Sequence, residues 1–130
     1  MYTSNGERVR SKSEVLIADT LKRLGVPYRY EFPLVLKTGG RDHNDTATRS
    51  KKITVHPDFL CLNLRTRQEF IWEHFGRMDD SDYSKKAAQK LRTYSENNIH
   101  PGKNLIITVE ANGLPLSSMY IEEIIQTYLK

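Results

Sequence analysis

The chain has one cysteine, no long apolar run and no internal repeat, and each shortage removes a class of protein. A lone Cys61 cannot close an internal disulfide or anchor a cysteine-rich zinc site. That excludes secreted disulfide scaffolds and zinc fingers together, and predicts an inert buried thiol in a reducing, cytoplasmic setting. No stretch approaches the ~18 apolar residues of a membrane span, and Met1 to Lys12 is polar and charged, so a soluble chain without a cleaved leader is expected. An excess of one charge sign is also slight: 20 Lys and Arg against 16 Asp and Glu give +4, a weak tilt towards a polyanionic partner. Basic residues are not interleaved with aromatics, so no dedicated stacking platform for single strands is expected.

What is present reads as one globular domain. The 130 residues, 38% hydrophobic and 28% charged, suit a single core spanning residues 1–130. Val15, Leu16, Ala18, Leu21 and Leu24 recur at helical spacing, and Gly25 with Val26-Pro27 ends the pattern. This predicts a first helix from Ser11 to Leu24, opened by a capping box in which Glu14 bonds back to the Ser11 backbone. Tyr28 to Leu36 alternates as a strand, with Pro33 marking an edge or a bulge. Ile53 to Leu64 and Glu69 to Phe75 read as a hairpin, interrupted early by Pro57. A second helix is expected from Ser81 to Asn97, introduced by the cap-forming Asp79, Asp80 and Asp82. A buried strand follows from Asn104 to Val109, and an amphipathic helix from Ser117 to Leu129. Residues 37–52 show no periodicity and read as a flexible basic loop, in which Lys37, Arg41, Arg49, Lys51 and Lys52 follow a phosphate backbone or are simply solvated. The resulting class is α/β, in the order helix, three strands, helix, strand, helix, with a mixed sheet flanked by helices.

The densest chemical signal is a pair of carboxylates inside apolar strand sequence: Asp58 after Pro57, and Glu73 after Ile71-Trp72. Two acids on adjacent strands raise each other's pKa and cost stability unless a cation lies between them, and Mg²⁺ needs only one or two carboxylates with waters completing its shell.

With these residues in view, the chain resembles the PD-(D/E)XK nuclease superfamily of metal-dependent phosphodiesterases, whose restriction-endonuclease-like core runs helix, three strands, helix, strand. The resemblance spans Ser11 to Val109. It rests on Arg10-Ser11-Lys12-Ser13-Glu14, His56-Pro57-Asp58-Phe59, Trp72-Glu73-His74-Phe75-Gly76 and Lys90 to Tyr94, and is similar to a subgroup with a Trp-Glu-His-x-Gly element. It implies Asp58, Glu73 and the backbone carbonyl of His74 as ligands of Mg²⁺, with Mn²⁺ as a substitute, and Glu14 as an outer acid. It implies a nuclease, endo- or exonucleolytic, acting on nucleic acid, DNA before RNA. The family's lysine belongs two residues after Glu73, where this chain has Phe75. Lys86, Lys90 and Tyr94 share a helix face, and Lys90 is the first replacement, Lys86 the second. Arg8, Arg10, Lys12, Lys86 and Tyr94 are the expected nucleic-acid contacts.

Plainer readings stand beside these. Asp58 after proline suits a turn, Glu14 a helix cap, Lys86 and Lys90 a solvated face, and Tyr94 the edge of the core. His56 and His74 lack the spacing of a transition-metal site and read as structural, and strand alternation turns the His74 side chain away from the Glu73 face. Two functional alternatives follow: a catalytically silent nucleic-acid-binding module of the same fold, and an assembly protein using Ile121, Ile124, Ile125, Tyr128 and Leu129 as a partner surface. No membrane partner is expected. Homo-oligomerisation and a separate targeting protein are left open.

Overall fold

The computed structural model describes residues 1–39 and 51–130. Helix α1 (Lys12–Arg23) begins where the Ser11 hydroxyl accepts the Glu14 N–H at 3.2 Å. It stops at Leu24-Gly25, where Gly25 takes φ +74, a left-handed conformation that residues with a Cβ rarely adopt. Strands β1 (Tyr28–Tyr30), β2 (Leu34–Thr38), β3 (Lys51–Val55), β4 (Phe59–Leu62) and β5 (Glu69–Phe75) precede helix α2 (Ser81–Glu96). Strand β6 (Leu105–Val109) and helix α3 (Ser118–Tyr128) complete the order.

The main sheet is mixed, ordered β1-β4-β5-β6: β1/β4 and β4/β5 are antiparallel, and β5/β6 is parallel. A parallel neighbour needs a crossover, and α2 supplies it. Strands β2 and β3 form a separate antiparallel pair. Alternation along the strands divides the core between the two faces of the sheet. Phe59, Cys61, Phe70, Trp72 and Ile106 pack with Ile17, Leu21 of α1 and Ile121, Ile125 of α3. Ile71 and Leu105 point the other way, towards Tyr94 of α2 and Leu36 of β2. Cys61 is a buried free thiol, and Ile121, Ile124, Ile125 and Leu129 are buried, so most of the stripe weighed as a partner surface is core.

Three expectations about the strands need correction. Tyr28 to Leu36 is two strands in two sheets, because Glu31 takes φ +51 and Pro33 cannot donate to a ladder. Ile53 to Leu64 is likewise two, parted at His56-Pro57-Asp58. The expected loop 37–52 is strand at both margins: Lys37 pairs with Lys52 and Thr38 with Lys51, while Asn97 bonds both backbone groups of Lys37 at 2.8–2.9 Å. Arg41 and Arg49 lie outside the described residues. No helix among the described residues is long and apolar enough to cross a membrane.

Candidate carboxylate site at the end of the central strands

Strand pairing builds the site. Phe59 faces Trp72 across β4/β5, so the preceding residue, Asp58, comes opposite Glu73. Pro57 and Asp58 end the ladder, and the Asp58 carboxylate turns back to accept the His74 backbone N–H through Oδ2 at 2.7 Å. The Asp58 carbonyl accepts the Glu31 N–H at 3.1 Å, which ties the β1–β2 turn to the same corner.

Glu73 is 2% exposed, a burial that a carboxylate tolerates only with charge-assisted partners. Helix α2 provides two, one turn apart. The Lys90 ammonium lies 2.8 Å from Glu73 Oε1, and the Tyr94 hydroxyl donates to the same oxygen at 2.7 Å. Asp58, Glu73, Phe75, Tyr83, Lys86 and Lys90 line an open pocket of about 210 Å³. Phe75, two residues beyond Glu73 and on its face, is buried there, so the cation arrives from the helix.

The two acids are incompletely neutralised. Burial, and then the neighbouring Glu73 charge, push the Asp58 carboxyl up to about 7, although the His74 N–H and Lys90 pull the other way. Glu14 adds to the upward push. Burial and Glu73 also raise Tyr94 far above the ordinary phenol range, so it stays a donor. Tyr83 is raised by burial, with Asp58 and Glu73 contributing, and its oxygen accepts the Gly76 N–H at 3.0 Å.

The opposite face of β5 is different in kind. The His74 ring is 3% exposed and both its nitrogens are engaged: Nδ1 with Thr108 Oγ1 at 2.7 Å, Nε2 with Glu110 Oε1 at 2.7 Å. Trp72 Nε1 donates to the same Thr108 oxygen at 3.1 Å. Glu110 also accepts from the Ser13 hydroxyl and from the Leu116 N–H. Burial pushes the Glu110 carboxyl up, but the bonds from Ser13, His74 and Leu116 outweigh it and hold it below the usual range.

The sequence-selected residues sort accordingly. Asp58, Glu73, Lys86 and Lys90 converge, and the His74 side chain turns to the far face as alternation requires. Glu14 sits nearby, half-buried, but does not close the expected capping box. Its Oε2 accepts the Arg10 N–H at 3.2 Å and the Tyr30 hydroxyl at 2.6 Å, leaving the Ser11 N–H aside. Tyr94, expected to touch nucleic acid, is 0% exposed and acts on Glu73 instead. Arg10 pairs with Glu31 at 3.3 Å, while Arg8 and Lys12 are exposed on the N-terminal side and do not line the pocket. Asp80 caps α2 through the Tyr83 N–H, the role expected of that acidic run. His56 is exposed. Sequence reasoning missed Tyr83, Thr108 and Glu110. The spacing Tyr83, Ala87, Lys90, Tyr94 marks Tyr83 as a member of the same helix face.

Among the described residues no three His, Cys, Asp or Glu side chains form a ready-made metal cage. The two facing carboxylates offer oxygen donors of the kind that a hard divalent cation takes while keeping most of its waters, with the Lys90 ammonium beside Glu73 and Lys86 on the same pocket.

No protein-family profile matches the chain, and no solved structure matches it. Over 98 residues, 75% of the chain, the sequence is 32% identical to an uncharacterized protein of Methanocaldococcus jannaschii, and the match covers 7% of that protein's length.

Proposed function

We propose that the chain is a metal-dependent nuclease domain that hydrolyses phosphodiester bonds, with DNA as its substrate and a restriction-endonuclease-like core. One observation carries the reading: Lys90 reaches Glu73 from α2, beside Asp58, while Phe75 fills the strand position where the resembling superfamily keeps its lysine. The order α1, β1, β4, β5, α2, β6, with the first three of these strands antiparallel neighbours and the last parallel, supports the same reading.

Asp58, Glu73 and the backbone carbonyl of His74 would hold Mg²⁺, or Mn²⁺ in its place. The bound ion supplies Lewis acidity at the phosphate and makes an attacking water easier to deprotonate. The chain's own residues do the rest. The His74 N–H fixes Asp58 Oδ2, and Tyr94 and Lys90 fix Glu73 Oε1, so both carboxylates are oriented before substrate arrives. Lys90 is a point charge against the phosphate and a donor to water, which an apolar residue at position 75 cannot be. Lys86 at the pocket mouth, with Arg8, Arg10 and Lys12 on the N-terminal side, follows the sugar-phosphate backbone.

The test is cleavage of labelled single-stranded, duplex and branched DNA with Mg²⁺ or Mn²⁺, comparing wild type with Asp58→Asn. Cleavage by wild type and none by Asp58→Asn is expected. DNA binding without cleavage by wild type, with either ion, overturns the assignment in favour of a silent binding module.

A further inference from the structure

We infer that Glu110 is a positioning residue for the carboxylate site, acting through His74 from the opposite face of the sheet. The inference rests on the proposed metal-binding role of Asp58 and Glu73. The His74 main chain lies between these two acids: it follows Glu73 directly and its N–H donates to Asp58 Oδ2 at 2.7 Å. Whatever fixes the His74 side chain therefore fixes that N–H and the carbonyl beside it.

The side chain is held at both ends. One assignment of protons satisfies the chain: Trp72 Nε1–H donates to Thr108, the Thr108 hydroxyl donates to His74 Nδ1, and His74 Nε2–H donates to Glu110. Glu110 closes the network, because it also gathers the Ser13 hydroxyl of α1 and the Leu116 N–H. It thus pins β5 to α1 and to the segment after β6. The β5/β6 register, with His74 beside Thr108, sets this up, since the residue two beyond Thr108 returns to the same face. Removing residues that orient metal ligands from behind costs about 10–100-fold in metal affinity.

The experiment is Mn²⁺ titration by calorimetry on wild type, Glu110→Ala and Glu110→Gln, with thermal melts and the His74 amide resonance recorded on the same metal-free samples. Glu110→Ala is expected to weaken Mn²⁺ by about 10-fold or more and to move the His74 amide upfield. Glu110→Gln, whose amide oxygen still accepts from His74 and Ser13 and which gives up only the longer bond from the Leu116 N–H, stays closer to wild type than Glu110→Ala. If Glu110→Ala does not melt cooperatively, Thr108→Val, which removes the Nδ1 partner of His74 together with the acceptor of Trp72 Nε1–H, takes its place with the same expected shifts. Wild-type Mn²⁺ affinity and an unmoved His74 amide in the folded variant overturn the inference alone. A wild type that binds no Mn²⁺ overturns the metal reading and the inference with it.

Discussion

Glu73 and His74 are neighbours on one strand, both buried, yet their surroundings are opposites. On the Glu73 face an acid sits opposite another acid, with a lysine as the adjacent cation and a pocket open to solvent. On the His74 face histidine, threonine, tryptophan, serine and glutamate saturate one another. Strand alternation places these two chemistries a residue apart. Electrostatic tension is concentrated where a ligand can relieve it, and the saturated face holds the tense one in shape.

The largest expected effect that separates the faces is on the proposed nuclease activity. Lys90→Ala is expected to lower single-turnover cleavage by about 10²-fold or more, because no other cation touches Glu73 among the described contacts. Lys86→Ala, at the pocket mouth, should cost less and act mainly on substrate affinity and its salt dependence. Equal losses in kcat for both variants would place the catalytic cation elsewhere.

The stability contrast is smaller and runs the other way. Thr108→Val leaves the Trp72 Nε1–H and His74 Nδ1 without their partner inside the core, which costs about 1–3 kcal/mol. Asp58→Asn keeps an oxygen for the His74 N–H while removing one of two repelling charges. Because burial and Glu73 raise Asp58 from 3.8 to about 7, the folded protein binds more protons than the unfolded chain between those values. Asp58's contribution to stability is therefore full in acid and is lost as pH rises through about 7. Metal-free melts across pH should show wild type declining over that window, Asp58→Asn declining less, and Thr108→Val displaced downward at every pH. A wild-type curve that rises from pH 5 to 8 would contradict the assigned tension.

Much of this arrangement was legible in the sequence, and the parts that were not share a cause. Helices α1, α2 and α3 and strand β5 follow from apolar spacing and caps within each segment. The carboxylate pair and the outward turn of His74 follow from spacing and alternation, whereas singling out Lys90 also took the resemblance, which sets a lysine where this chain has Phe75. The split at Glu31 was hidden because a positive φ leaves no mark on hydrophobic periodicity. Lys37 and Lys52 read as loop in the sequence because the facing ends of β2 and β3 are polar, Lys37-Thr38 against Lys51-Lys52, and carry no apolar alternation. Glu110 and Thr108 were missed because their place beside His74 depends on the parallel β5/β6 register, which no local pattern encodes.

The most direct test of the central claim is an anomalous difference map from crystals soaked in Mn²⁺. A peak is expected between the Asp58 and Glu73 carboxylates, within coordination distance of the His74 carbonyl and absent from Asp58→Asn crystals. A well-occupied ion elsewhere, or none at these carboxylates at saturating Mn²⁺, would contradict it.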